Sequence, residues 1–493
     1  MKPNFKFNGI RKPYCSYLDY EAQYGLEREL EINSVKGRPG GVLNGISIKP
    51  REIEVTFLFD SFEVENMDIN KIADDAVNWL TTDEPVEMIF DREPDKIYYA
   101  MLQGKLDVEG IIAYSKVTAT FICLDPYKYS TNTYTNTAIS DQLAIVNKGN
   151  APTPPLITAR AIKAASSYMI TKGDEDYFMV GDDDVDKTIK DYTPELFNSE
   201  LRTLSGWTKQ GAGVINDNYT GGTTGGSFSQ SSTKESVYLN LDTITAQTGW
   251  NGAEYRKSFG RSAQDFSTTA KIALYQKNKG STHFAQYVYD TDNRLLASIG
   301  YVNSSSSQNT GRIIVTIFDQ TGNQKKIYDY KNNPKFYNWD DIIVYMRLKR
   351  VGNTFYIKTW KYKEVEYPKR IVPVDIHETV WVDKGDFYQR PIASLGLYSA
   401  KNGLNKHMRT YILGTYTHEI LPKPPAAKDK FIKQGDLLQI DMKNKTVTLN
   451  DEPILSEKTF GSDWFELDSG LTEMFVMPEG IFDTTAEWKD RFQ

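Results

Sequence analysis

Asp91-Arg-Glu-Pro-Asp-Lys-Ile-Tyr-Tyr-Ala100 and Phe121-Ile-Cys-Leu-Asp-Pro-Tyr-Lys-Tyr129 decide how the start of this chain folds. Each joins a β-type run to a polar corner that contains proline. Proline has no N–H for a sheet ladder and drives the preceding residue out of helical space, so Asp125-Pro126 must end a strand. Upstream, Ile53, Val55, Phe57 and Phe59 alternate with Glu52, Glu54 and Thr56, which puts one face of a strand in a core. Leu26, Leu30 and Ile32 likewise stand among Glu27, Glu29 and Glu31, and Lys36-Gly-Arg-Pro-Gly-Gly41 breaks that run as a hairpin tip does. The simplest pairing sets 26–32 against 53–59 as a half-buried antiparallel pair. One helix is expected, with Asp68 as its cap and Ile69, Ile72, Ala73, Ala76, Val77 and Leu80 at helical spacing.

The whole chain has 493 residues, more than one core usually organises, so two or three domains are expected. It is 40% hydrophobic and 13% aromatic, which excludes disorder, and its 31 Tyr and 23 Phe stand among Thr, Val and Ile, which predicts an all-β chain. A net charge of −7 gives no reason to expect nucleic acid as the main partner, because phosphate binding needs clustered cations. Cys15 and Cys123 have no metal or redox spacing and read as buried, reduced thiols. No run reaches membrane-spanning length and the first residues lack a leader's apolar core, so synthesis and folding in a cytoplasm, with no membrane partner, are expected.

The two opening stretches resemble the N-terminal domain of the distal tail proteins of long-tailed phages that infect Gram-positive bacteria, where D-x-E-P-D-x-x-Y-x-A precedes a last strand ending D-P-Y-x-Y. Asn147-Lys-Gly-Asn-Ala-Pro-Thr-Pro-Pro155 resembles the segment that opens the family's galectin-like β-sandwich. The sandwich's later elements, Gly435-Asp-Leu-Leu-Gln-Ile-Asp441, Val447-Thr-Leu-Asn450 and Glu487-Trp-Lys-Asp-Arg-Phe492, appear only after residue 430. The resemblance therefore implies residues 1–130 as a ring-forming hub domain, 131–195 with 426–493 as one discontinuous sandwich, and 196–425 as an insertion. It also implies a virion protein of the tail tip, a homohexameric ring, and neighbours in the tail tube and the tail-tip or tail-associated lysin-type proteins.

The insertion is bounded by a Gly, Ser and Thr-rich stretch (206–232), read as flexible linker, and by Pro422-Lys-Pro-Pro425, a stiff one. Between them lie strand-like runs at regular spacing, including a hairpin that turns at Gly352-Asn353, which predicts a jelly roll. In outline it resembles concanavalin or laminin-G type lectin-like domains. Exposed aromatic faces stack on sugar rings while Asp and Asn fix hydroxyls, which makes Trp250 with Asn251, Trp339 with Asp340, Trp360 and Trp381 the candidate carbohydrate-binding residues. A sandwich this large also needs aromatic core, so each tryptophan alone reads as structural first.

Catalytic and metal chemistry find no support. His283, His377, His407 and His418 form no zinc-binding pair, no G-x-S-x-G elbow occurs, and neither cysteine has the surroundings of a nucleophile. Gly181-Asp-Asp-Asp-Val-Asp186 lacks the ligand spacing of a calcium loop and reads as a solvated corner. The reading is of a structural protein without catalytic residues, metal or cofactor, whose insert binds host cell-wall polysaccharide. The alternatives are a peripheral receptor-binding protein of the tail tip, or a wall-degrading glycosidase whose carboxylate pair the sequence does not locate.

Overall fold

The computed structural model describes residues 3–493 except 21–24, 35, 38, 65–68, 110–113, 174–175, 218–221, 246–247, 337–338, 340, 364–371 and 404. It is almost entirely β, with strands grouped around three large hydrophobic cores.

In the first, strands run in the order Phe5–Phe7, Val86–Phe90, Lys96–Glu109, Tyr114–Cys123, Arg51–Asp60, Cys15–Tyr20. Alternation in Arg51–Asp60 buries Ile53, Val55, Phe57 and Phe59 as expected, against Phe5, Phe90, Phe121 and the helix Ile69–Leu80. Ile72, Ala76 and Leu80 supply the buried helical stripe; Asp68, the expected cap, lies outside the described residues. The hairpin expectation needs correction. Arg28–Ser34 pairs with Gly41–Ile48, in a two-stranded sheet of its own, while Arg51–Asp60 pairs with Cys15–Tyr20 and Tyr114–Cys123. Alternation shows that a strand has an apolar face, not which strand lies beside it.

The second core lies between a six-stranded and a four-stranded sheet. Strands from both sides of the long insertion interleave: Leu156–Ala161 sits between Phe482–Trp488 and Leu437–Asp441, and Gly470–Met477 sits between Gln142–Asn147 and Ser167–Lys172.

The third core lies between an eight-stranded and a nine-stranded sheet built wholly from residues 195–419. Asp341–Val351 and Thr354–Lys363 form the expected hairpin, with Val351 opposite Thr354 across Gly352 and Asn353. The glycine-rich stretch is not a linker. Thr208–Lys209, Gly213–Ile215, Gly222–Thr224 and Ser227–Gln230 are strands that pair within the two sheets. Its glycines serve close approach: a Cβ on Gly222 would meet the Tyr398 hydroxyl at 2.1 Å, and one on Gly226 the Gly252 carbonyl at 3.0 Å.

The signature corners are where these parts meet. Glu93 accepts from Tyr98 at 2.6 Å, Tyr20 at 3.1 Å and Lys128 at 3.1 Å, tying the first corner to three strands. Asp125 accepts from Tyr129 at 2.6 Å and faces Lys443 at 2.9 Å and Arg491 at 3.6 Å. Arg491–Phe492 then pairs with Lys128–Ser130, so the last strand joins the sheet edge of the first core.

Candidate functional site

The arm formed by Arg28–Ser34 and Gly41–Ile48 is exposed along almost its whole length. Register puts Leu30 opposite Ile46, Arg28 opposite Ile48, and Ile32 opposite Leu43 after a bulge. Directly opposed residues share a face, so Leu30, Ile32, Leu43, Ile46 and Ile48 make one continuous apolar face and Glu29, Glu31 and Asn33 occupy the other. These five side chains are 39–60% exposed, as an amphipathic ribbon is when nothing lies against it. A bare two-stranded ribbon is marginal in water, and five aligned apolar side chains mark an interaction surface.

In the inserted sandwich the candidate tryptophans fall in four different places. Trp250 is buried on the outer face of the nine-stranded sheet, its ring edge-on to His283 at 5.3 Å, and Asn251 beside it is buried against Thr223 at 3.0 Å. Trp360 is 1% exposed, stacked on Tyr345 at 4.9 Å. The turn at Asp451 and Glu452 of the second core covers that pair: Tyr345 and Tyr362 donate to Asp451, while Arg347 and Lys358 face Glu452. Trp381 packs at the sandwich core against Phe355 and Tyr388. Trp339 is half-buried, against Phe336 at 4.5 Å with the Lys363 ammonium 5.1 Å from its ring centre. Asp340 lies outside the described residues. The structure thus brings none of these tryptophans together into a common platform. Of them, Trp250 and Trp360 have no free ring face, whereas Trp339 and Trp381 are only partly covered.

Sequence reasoning missed a polar cluster under Trp250. Asp217 sits 3.2 Å from His283 and accepts from Tyr287 at 3.1 Å, with Tyr398 closing the group. Asp217 and His283 line only a small cavity of about 10 Å³ with Ser298, Val302 and Thr316; a separate one of about 400 Å³ is lined by Asn216, Arg294, Phe318, Asp319, Thr321 and Gln324 among others. The Asp182–Asp186 corner is a solvated loop in which Lys187 faces Asp182 at 2.7 Å.

Two family models match this chain at its two ends. Residues 23–123 match a phage tail protein RIFT-related domain, and residues 428–492 match a siphovirus-type tail component C-terminal domain. The chain is 27% identical over 140 residues to the distal tail protein of Bacillus phage SPP1, covering 28% of this chain and 54% of that protein. It thus spans about half the length of the curated relative it matches. Among solved structures, it is similar to the SPP1 Dit protein, a hub of adsorption apparatus in phages infecting Gram-positive bacteria (22% identity, 37% of this chain, 75% of that one, TM-score 0.32). It is also similar to the CBM2 module of the evolved Dit of Lactobacillus casei BL23 phage J-1 (12% identity, 48% of this chain, 99% of that one, TM-score 0.38). Sequence similar to siphovirus-type tail components thus stands at both ends of this chain, on either side of an inserted β-sandwich. Within that class the likeness is to the distal tail protein of a phage that infects Gram-positive bacteria.

Proposed function

We propose that the chain is a structural hub at the tail tip, a homohexameric ring that joins the tail tube to tail-tip and tail-associated lysin-type proteins. On this reading, residues 1–130 form the ring, 131–195 with 426–493 form a discontinuous sandwich, and 196–425 are an inserted domain that binds host cell-wall polysaccharide. The protein is made in the host cytoplasm and is not an enzyme. The observation that carries the reading is the amphipathic arm 28–48. An apolar ribbon face that finds no cover in its own chain fits against the same surface system of a neighbour, and a heterologous contact repeated by rotation closes into a ring. Weak wall binding by each insert would be multiplied by the ring.

Negative-stain imaging and mass measurement of the purified protein test this. A six-fold ring is expected; a trimeric spike, or a monomer at high concentration, would count against the hub and favour a peripheral adhesion protein.

A further inference from the structure

We infer that one end of the inserted sandwich is a docking site for a phosphate-bearing wall glycopolymer, resting on the reading that this insert meets the host wall. The end is formed by the loop after Phe266–Tyr275, with Lys279, by the end of the strand Ile392–Asn402, with Lys401, and by Lys406 and Arg409 in the loop just before Thr410–Glu419.

The two loops pack backbone to backbone. Ser281 donates to the Lys406 carbonyl at 2.8 Å, Tyr275 to the Arg409 carbonyl at 3.0 Å, and Met408 to the Ser281 carbonyl at 3.1 Å. A Cβ on Gly280 would meet the Lys406 carbonyl at 2.5 Å, so glycine there is what lets the loops close and sets Lys279 beside Lys406. The Arg409 guanidinium lies 4.9 Å from the ring centre of Tyr238 and 3.5 Å from the Tyr411 hydroxyl. Gln276 donates to the Trp339 carbonyl at 3.0 Å, which fixes half-buried Trp339 against the same loop.

The local charge runs against that of the chain. Net charge is −7, yet no Asp or Glu occurs in 266–289 or in 387–418. Among the described residues, Lys279, Lys401, Lys406 and Arg409 have no carboxylate partner; Asp341 stands across the sheet, opposite Tyr275, and Glu84 pairs with Lys363 beside Trp339. His407, between the last two cations, is pushed down to about 4 by burial, and Lys401 and Arg409 add to the effect. Thr410–Glu419 runs from this end to the junction with residues 191–195, roughly 30 Å at about 3.3 Å per residue, so the cations lie well away from the insert's point of attachment.

Unpaired cations select an anionic ligand, and flanking Tyr238, Tyr275, Tyr411 and Trp339 offer ring faces to sugar or polyol carbon. A polymer that alternates phosphodiesters with polyol or sugar units satisfies both; a neutral glycan leaves the cations idle.

Full-length protein would be assayed on poly(glycerol phosphate), on Gram-positive walls, and on walls stripped of phosphate polymer. Binding to the polymer should fall with salt, with a log–log slope of roughly −0.7 for each phosphate neutralised. Lys406→Gln with Arg409→Gln should weaken it at least about tenfold. The same charge change at exposed Lys325→Gln with Lys331→Gln should leave it within about twofold. Loss on stripped walls together with loss in the first variant supports the site. Unchanged binding by that variant, or equally tight binding of a DNA duplex, overturns it. Retention on stripped walls without polymer binding overturns this site and leaves wall-polysaccharide binding standing; no retention on either wall overturns both.

Discussion

The Lys443 ammonium lies 2.9 Å from an oxygen of Asp125, so a residue of the late sandwich closes on the proline corner that ends the first sheet. Burial alone would raise this carboxyl, but Lys443, Tyr129 and Arg491 outweigh it and hold the group below the usual carboxylate range. A depressed acid contributes stability above its unfolded value near 4, and that stability is lost as pH falls through the lower folded value. Asp125→Asn should therefore cost about 1–3 kcal/mol at neutral pH, by leaving partly buried donors short of an acceptor. Calorimetry should show the gap to the parent protein narrowing below about pH 4; a gap constant with pH would contradict the account.

Ile32→Glu with Leu43→Glu places two charges on the apolar face of the arm. Neither side chain is buried within the chain, so melting of the monomer should move by less than about 0.5 kcal/mol while assembly is lost. Light scattering reads the result directly, and an oligomer of unchanged mass would remove the arm from the interface.

Trp360 is held under the Asp451–Glu452 turn, so Trp360→Ala should cost about 3–5 kcal/mol in the inserted sandwich. Glu452→Lys acts on the contact itself, turning partners of Arg347 and Lys358 into like charges. Hydrogen exchange should quicken along Thr354–Lys363 and at Glu452–Pro453 in that variant, with the second core's inner strands unaffected.

Burial pushes both thiols up, Cys123 to about 12 and Cys15 further. Neither should react with a disulfide reagent at pH 8 in the native protein, and both should titrate at once in denaturant.

His407 binds its proton more weakly folded than unfolded, so the unfolded state takes up protons first as pH falls. The inserted sandwich should lose roughly 1–3 kcal/mol between pH 6.5 and 4, and His407→Gln should flatten that slope. Thermal melts across this range decide it.

Local pattern made several elements legible. Arg51–Asp60 and Asp341–Lys363 carry alternation or tight-turn chemistry that depends only on near neighbours, and the helix carries its own stripe. Long-range choices were not legible. Leu30 and Ile32 looked like half of a core pair because alternation cannot distinguish an apolar face awaiting a partner from one already covered. Gly222 and Gly226 looked flexible because the same residue serves both loose chain and tight crossing, and only the neighbour, such as the Tyr398 hydroxyl, separates them. Trp360 stood among the carbohydrate-binding candidates as well as the core because its cover, Asp451, lies in a separate part of the chain.

The pairing of Arg491–Phe492 with Lys128–Ser130 also sets a clock. Asp490 donates its amide N–H to Ser130 across 360 residues of chain, a stretch that takes roughly 20–70 s to synthesise at about 5–20 residues per second. Until the ribosome delivers those final residues, the early sheet keeps an open edge and the split sandwich lacks half its strands, whereas the inserted sandwich, continuous in sequence, already has everything it needs. The split sandwich therefore waits for its late strands, and the corner at Asp125 is among the last places to set.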